Sequence, residues 1–280
     1  SDLLEPYNAI NNRTYQADIN LNALGGTFTS TTAYRKLHYT GATPGVFAQP
    51  VLVGWIDYPY QQFSQELRYT GSLGKLDMTI GAYYQHEKIN VSTAIQTNLP
   101  ALGAPALPFA FDFTLDQKTE SYSGFADFTY HFDDKLSLEA GGRWTHVSRD
   151  AAQSAFPGDN VPGLRFKQGR GGLSRDPALD FIFPLVFGIT PHDFTGLHMS
   201  ESHFQPQVIA QYKFTDKVQA YLKYVKGYKA GGFDSNYQGT PGAGPGGGPL
   251  VVPQNVHFRP EKAESFEIGL KGLAFDNRLS

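Results

Sequence analysis

The sequence predicts an all-β fold, an antiparallel transmembrane β-barrel segment, and three observations carry that expectation. First, segments that alternate apolar and polar residues are joined strictly in turn by very short connections (22–26, 71–74, 133–135, 215–217, 274–277) and very long ones (40–61, 92–116, 147–201, 229–258). A sheet in water has no reason to keep its short turns on one edge, whereas a barrel crossing an outer membrane pairs short periplasmic turns with long extracellular loops. Second, proline cannot donate to a ladder hydrogen bond, and of 18 prolines only Pro206 falls inside a predicted strand. Third, aromatic residues make up 14% of the chain, with 21 Phe and 16 Tyr, and interfacial girdles would use them. A soluble β-sandwich would also keep its prolines in loops. It would not confine loops of roughly 20–55 residues to one edge, since loops that long are uncommon in compact domains.

Taken in order, strand 13–21 alternates Tyr15, Ala17, Ile19 and Leu21 with Thr14, Gln16, Asp18 and Asn20, the period-two signal of a half-buried strand. Strand 27–39 is rich in Thr and Tyr and chooses no face. Strand 63–70 follows the first long loop. Strand 76–86 is the clearest, with Leu76, Met78, Ile80, Ala82 and Tyr84 opposing Asp77, Thr79, Gly81 and Gln85. Strands 120–132, 136–146, 204–214, 218–228 and 263–271 follow, and a tenth begins at Arg278. The run 130–136 (Tyr-His-Phe-Asp-Asp-Lys-Leu) echoes 212–218 (Tyr-Lys-Phe-Thr-Asp-Lys-Val), a repeated hairpin unit.

The periodicity assigns faces. Leu76, Met78, Ile80, Ala82, Leu136, Leu138, Ala140, Val218, Ala220, Leu222, Phe266, Ile268 and Leu270 should meet lipid. Asp18, Glu66, Arg68, Asp77, Glu139, Arg143, Lys213, Lys223, Glu267 and Lys271 should face the lumen, because charge against lipid is costly. Trp144, Tyr84 and Tyr224 on the loop side, and Tyr130, Phe132, Tyr212 and Phe214 on the turn side, should form two bands about 25 Å apart.

Composition narrows the function. Net charge is -3 and mean hydropathy is -0.34. No run of about 18 apolar residues exists to form a transmembrane helix, and the longest apolar run, 181–189, is broken by Pro184. The near-neutral charge gives no case for nucleic acid. The absence of cysteine fits an oxidising envelope. No Ser/His/Asp or Cys/His arrangement is legible, so the chain is not expected to be an enzyme. No cofactor is expected either, since Gly231 and Gly232 lack the strand-to-helix context of a phosphate loop. An open sheet edge in lipid would cost several kcal/mol per unpaired backbone group. About nine complete strands are therefore expected to be part of a larger barrel, with the whole of 1–280 a single partial barrel domain.

Three segments carry a family signature: 224–233 (Tyr-Val-Lys-Gly-Tyr-Lys-Ala-Gly-Gly-Phe), 258–271 (Phe-Arg-Pro-Glu-Lys-Ala-Glu-Ser-Phe-Glu-Ile-Gly-Leu-Lys) and 64–68 (Ser-Gln-Glu-Leu-Arg). In this order they resemble the barrel of TonB-dependent outer-membrane receptors, from about residue 13 onward. The resemblance implies a barrel of about 22 strands with a plug domain in its lumen. It also implies import of a scarce nutrient, a ferric siderophore foremost, energised by TonB in a Gram-negative outer membrane. Plug, TonB box and final strands are absent from the given residues, so contact with TonB would run through an N-terminal region outside them. Two rivals are a passive porin, against which the 260–271 motif argues, and a membrane-embedded hydrolase, which needs a nucleophile and base at the rim.

Recognition residues are expected on the loop side. Arg165, Lys167, Arg170 and Arg175 place four cations within eleven residues of the longest loop, without an acid among them. They suit an anionic ligand, since guanidinium binds carboxylates bidentately. They equally suit the phosphates of lipopolysaccharide, an expected partner along with outer-membrane lipid. Trp55, Tyr58 and Tyr60 in the first long loop could stack on a flat ligand. His192, Asp193, His198 and His203 match no strong metal motif, which leaves His192 and His198 as weak metal candidates.

Overall fold

The computed structural model describes residues 7–44, 52–97, 109–159, 180, 184, 189–239 and 250–273. In chain order the strands are β1 (Tyr7–Ala23), β2 (Gly26–Pro44), β3 (Leu52–Leu73), β4 (Leu76–Thr97), β5 (Phe109–His131), β6 (Leu136–Asp159), β7 (His192–Thr215), β8 (Val218–Lys229), β9 (Gly232–Phe233), β10 (His257–Phe258) and β11 (Glu261–Gly272). Nine of them form one antiparallel sheet in the order β1-β2-β3-β4-β5-β6-β7-β8-β11, while β9 and β10 pair separately. Each strand of the sheet pairs with the next sheet strand along the chain, β8 with β11 across the short β9–β10 pair, as an up-and-down barrel wall requires. The turn of 274–277 and the strand expected from Arg278 lie outside the described residues.

The ladder register decides the faces, because residues directly opposite in an antiparallel pair share one. One row runs Met78, Phe128, Ala140, Val208, Tyr224, Phe266 across six strands. Every residue expected to meet lipid falls on that face, and every expected lumen charge falls on the other. The apolar face is open to its surroundings, with Leu222 at 56% and Ile268 at 81% exposure, the signature of side chains meant for lipid. Strand 27–39 hid its face because its outward positions include Ser30 and Thr32. These two satisfy the amide of Gln65, itself on the lipid side: Thr32 Oγ1 donates to Gln65 Oε1 at 2.5 Å and Gln65 Nε2 donates to Ser30 Oγ at 3.0 Å.

Two aromatic belts bound the apolar band. On the loop side stand Tyr15, Tyr34, Phe63, Tyr84, Tyr122, Trp144, Phe204 and Tyr224. Neighbouring rings meet, Tyr84 and Tyr122 at 5.1 Å and Tyr224 and Phe266 at 4.7 Å. On the turn side, Phe28 meets Tyr69 at 4.7 Å, Tyr130 meets Phe132 at 4.9 Å and Tyr212 meets Phe214 at 5.1 Å. Tyr84 lies eight residues up β4 from Leu76, the partner of Tyr130, a distance of about 26 Å along the strand at about 3.3 Å per residue.

The echoed hairpins share a mechanism. Asp133 Oδ1 accepts the backbone N–H of Lys135 and of Leu136, both at 2.8 Å, and Thr215 Oγ1 accepts the N–H of Lys217 at 3.2 Å. Those backbone donors hold the Asp133 carboxyl below its usual range.

The structure corrects the expected strand ends. β3 to β7 are 22–24 residues long, so the connections expected over 40–61, 92–116 and 147–201 shrink toward 45–51, 98–108 and 160–191. Above the membrane both faces are polar or packed. The alternation that betrays a strand ends there while the hydrogen-bond ladder does not. Proline placement changes accordingly, because Pro59 and Pro157 also lie within strands. The β3–β4 register skips Tyr58 and Pro59, and the β7–β8 ladder begins only at Gln207, just below Pro206, as a missing N–H predicts.

Candidate ligand-facing wall of the lumen

The lumen face is built from the polar half of each period. Low on the wall, Gln207 Nε2 donates to Asp127 Oδ1 at 2.6 Å and to Glu139 Oε1 at 2.8 Å, tying β5, β6 and β7 together. Arg143 lies over the rings of Tyr83 and Phe125, 5.3 and 5.6 Å from their centroids. Higher, Tyr83 Oη donates to Gln85 Oε1 at 2.7 Å and Gln85 Nε2 to Glu87 Oε2 at 3.0 Å. Tyr60 Oη donates to Gln62 Oε1 at 2.5 Å and stands 3.1 Å from Glu87 Oε2. Arg35 lies 6.0 Å above the Tyr60 ring. The result is a continuous strip of amides, phenols and guanidinium groups.

Above the strip the lumen narrows. Phe233, Tyr237 and Val256, from the connection after β8, pack on Val91, Leu115, Ala151 and Leu197 of β4 to β7. All four strand residues belong to the lumen face, so this connection folds inward. A clamp holds its root: Gly231 N–H donates to Glu201 Oε1 at 2.8 Å, and Arg149 Nη1 donates to the Gly231 carbonyl and lies 3.8 Å from Glu201. Gly231 also has no room for a side chain, since a Cβ would stand 2.6 Å from the Phe258 carbonyl oxygen. The segment 224–233 is thus where the wall turns inward.

The expected recognition residues separate. Trp55, Tyr58 and Tyr60 lie on β3 and not in a loop. Tyr58 and Tyr60 face the lumen and stack, with centroids 6.3 Å apart and planes 8° from parallel. Burial raises both phenols, with the Glu87 charge adding to it, and Tyr58 packs at the margin of the inward-folded core. Trp55 points the other way, 5% exposed beside Ala42 and Ala94, so the three rings do not make one site. Arg165, Lys167, Arg170 and Arg175 lie outside the described residues. His192 Nδ1 meets the Thr190 carbonyl at 2.7 Å and its Nε2 meets Gln153 Oε1 at 2.9 Å; burial lowers its pKa. His198 Nδ1 meets Asp150 Oδ1 at 2.7 Å on the opposite face. Among the described residues no group of three or more His, Asp or Glu side chains could hold a metal ion. Sequence reasoning missed Arg35, Glu87 and the Arg149–Glu201 clamp, because their meeting depends on ladder register and no local pattern signals it.

Comparison with known proteins places these features. The family model for the TonB dependent receptor-like β-barrel matches residues 2–280. The pesticin receptor of Yersinia enterocolitica is 24% identical over 253 residues, covering 89% of this chain and 30% of that protein. The crystal structure of the ferric yersiniabactin uptake receptor FyuA from Yersinia pestis aligns with a TM-score of 0.69 at 18% identity, over 96% of this chain and 34% of the other. The siderophore receptor PiuA from Acinetobacter baumannii aligns at 0.61 and 16% identity, over 97% and 39%. The chain spans about a third of the length of these relatives. Their names are those of receptors and not of enzymes. With its nine-stranded antiparallel wall, apolar outside and polar inside, the chain belongs to the TonB-dependent receptor β-barrel family.

Proposed function

We propose that this chain forms the ligand-recognising side of an outer-membrane receptor that imports a ferric siderophore into a Gram-negative cell, energised by TonB. The observation that carries the reading is the wall above the loop-side belt. Tall strands present Arg35, Tyr60 and Glu87 to a lumen narrowed by an inward-folded segment. Stacked phenols, amides and guanidinium groups suit a ligand that is part aromatic and part anionic, because rings bring contact area with few rotors and Arg captures carboxylates. Tyr58 and Tyr60 stand on that wall. The cluster Arg165, Lys167, Arg170 and Arg175 would add anion capture at the mouth. Relatives whose names refer to ferric yersiniabactin and siderophores support iron chelates over other scarce nutrients. The test is uptake of radiolabelled iron by a strain deleted for the receptor gene, supplied with a panel of ferric siderophores, with and without TonB. Loss of uptake for one chelate, restored by the receptor only when TonB is present, supports the reading. Unchanged uptake for every chelate refutes it.

A further inference from the structure

Above the loop-side belt, one lumen row of the ladder crosses β1 to β6 as Thr14, Arg35, Gln62, Glu87, Thr119 and Arg149. Its charges run plus, minus, plus, with a neutral residue between each. Strands lie about 4.8 Å apart, so the backbone of Glu87 stands roughly 10 Å from that of either arginine. Both cations are engaged elsewhere. Arg35 Nε donates to Asn12 Oδ1 at 3.1 Å, and Arg149 holds the Gly231 carbonyl beside Glu201.

Glu87 itself is half-buried among neutral groups. Gln85 and Ile89 stand on either side of it along β4, and Gln62 and Thr119 stand across the ladder. Its Oε2 accepts from Gln85 Nε2 at 3.0 Å and lies 3.1 Å from Tyr60 Oη, whose proton goes to Gln62 Oε1. Among the described residues its Oε1 has no donor and the carboxylate forms no ion pair. One firm donor therefore serves a group with about four acceptor positions. Burial, with the Glu87 charge adding to it, raises the Tyr58 and Tyr60 phenols, so both stay neutral and Glu87 is the anion of the group. Glu201 and Glu261, also lumen-facing above the belt, are matched with cations: Glu201 with Arg149 at 3.8 Å and His203 at 3.7 Å, Glu261 with Lys229 at 2.9 Å.

A ligand seated on the Tyr58 and Tyr60 rings strips water from this carboxylate. Burying a charge without a partner is costly, so a neutral or anionic group placed there weakens binding. A protonated amine offsets that cost with a charge-assisted hydrogen bond to Oε1, roughly twice as strong as a neutral one, and phenol faces attract the same cation. We infer that Glu87 is an ammonium-binding subsite, and that the ligand is a zwitterionic ferric chelate whose amine meets Glu87 while its anionic groups meet Arg35, two strands away. This inference rests on the siderophore reading and names the ligand class within it.

In the experiment, the full-length receptor in detergent is dialysed to equilibrium against radiolabelled ferric chelates in two matched pairs. One pair is ferrioxamine B, a hydroxamate with a terminal ammonium, and its N-acetyl derivative. The other is a synthetic catecholate with a free aminopropyl arm and its N-acetyl derivative. In at least one pair the parent should bind the amine more tightly than its acetylated partner, by about tenfold or more. Glu87→Gln should bring that ratio to about one, and Glu87→Asp, which keeps the charge, should retain the preference. Heat-modifiable gel mobility reports barrel folding in each preparation, so a failed barrel is distinguished from a failed site. A ratio near one for the parent in both pairs overturns the proposal, as does an unchanged ratio in folded Glu87→Gln, or binding of neither amine. The siderophore reading fails separately, when the uptake panel shows no chelate whose import needs receptor and TonB.

Discussion

Ile80 and Thr79 are consecutive residues on opposite faces of β4, and they test the face assignment most directly. Ile80 is 44% exposed on the apolar side, opposite Tyr69 and Ala126; Thr79 is opposite Thr70 and Asp127 on the lumen side. Four residues separate Ile80 from Leu76 at the lower belt and four from Tyr84 at the upper. At about 3.3 Å per residue and a tilt of about 40°, Ile80 stands about 10 Å from each boundary, near the bilayer midplane. Arg at that depth on the lipid side costs about 2–4 kcal/mol, so Ile80→Arg should lower the folded-to-unfolded ratio of the receptor by roughly 30- to 800-fold. Thr79→Arg puts the same cation into the wet lumen near Asp127 and should change stability little. The assay is urea titration of the full-length receptor folded in phosphatidylcholine vesicles, read by gel mobility. Equal losses from both substitutions, or a larger loss from Thr79→Arg, would refute the assignment of faces.

Three further outcomes are expected. Burial raises the Asp112 carboxyl from 3.8 to about 7, so the native state keeps a proton that the unfolded chain releases, and stability falls as pH rises across that window. Asp112→Asn should match the parent near pH 4 and stabilise the loop-side ends of β4 and β5 at pH 8, by an upper bound on the order of 4 kcal/mol; hydrogen exchange reads this, and parallel pH profiles would contradict it. Arg149→Met removes the donor to the Gly231 carbonyl and leaves Glu201 with less compensation, which should loosen the inward-folded connection by about 1–3 kcal/mol, seen as faster proteolysis after β8. Charge reversal of Arg165, Lys167, Arg170 and Arg175 together should raise the ligand dissociation constant at least tenfold, or about 1.4 kcal/mol, and an unchanged affinity with a folded barrel would remove the cluster from the site.

What could be seen in the sequence was set by where lipid is. Between the belts, one face must be apolar, and that constraint wrote a period of two into 76–86, 136–146 and 263–271 clearly enough to fix strand, register and face. The weak case, 27–39, is weak because Ser30 and Thr32 spend outward positions on Gln65. Beyond the upper belt no such constraint holds. The continued strands carry Asp57, Ser92, Asp112 and Thr114 inside packed surroundings, with Ser92 Oγ donating to Asp112 Oδ1 at 2.8 Å and Thr114 Oγ1 2.5 Å from Ser154 Oγ. A polar run of this kind reads as loop. The same blindness put Trp55, Tyr58 and Tyr60 in a loop, and spacing alone could not show that Trp55 opposes the other two.

The shortness of β8 reshapes the rim. β6 and β7 each run 24 residues while β8 and β11 run 12, so the strands, membrane-spanning part included, are about 80 Å long on one side of the step and about 40 Å on the other. Where β7 outgrows β8, above Pro206, side-chain contacts replace the ladder: His203 stacks on Tyr228 at 3.6 Å and Glu201 accepts the Gly231 N–H at 2.8 Å. The wall therefore steps down between β7 and β8. The chain rooted at Gly231 leaves the sheet at that step and packs on the lumen face of β4 to β7, so the place where the wall loses height is also the place where it gains an inner layer.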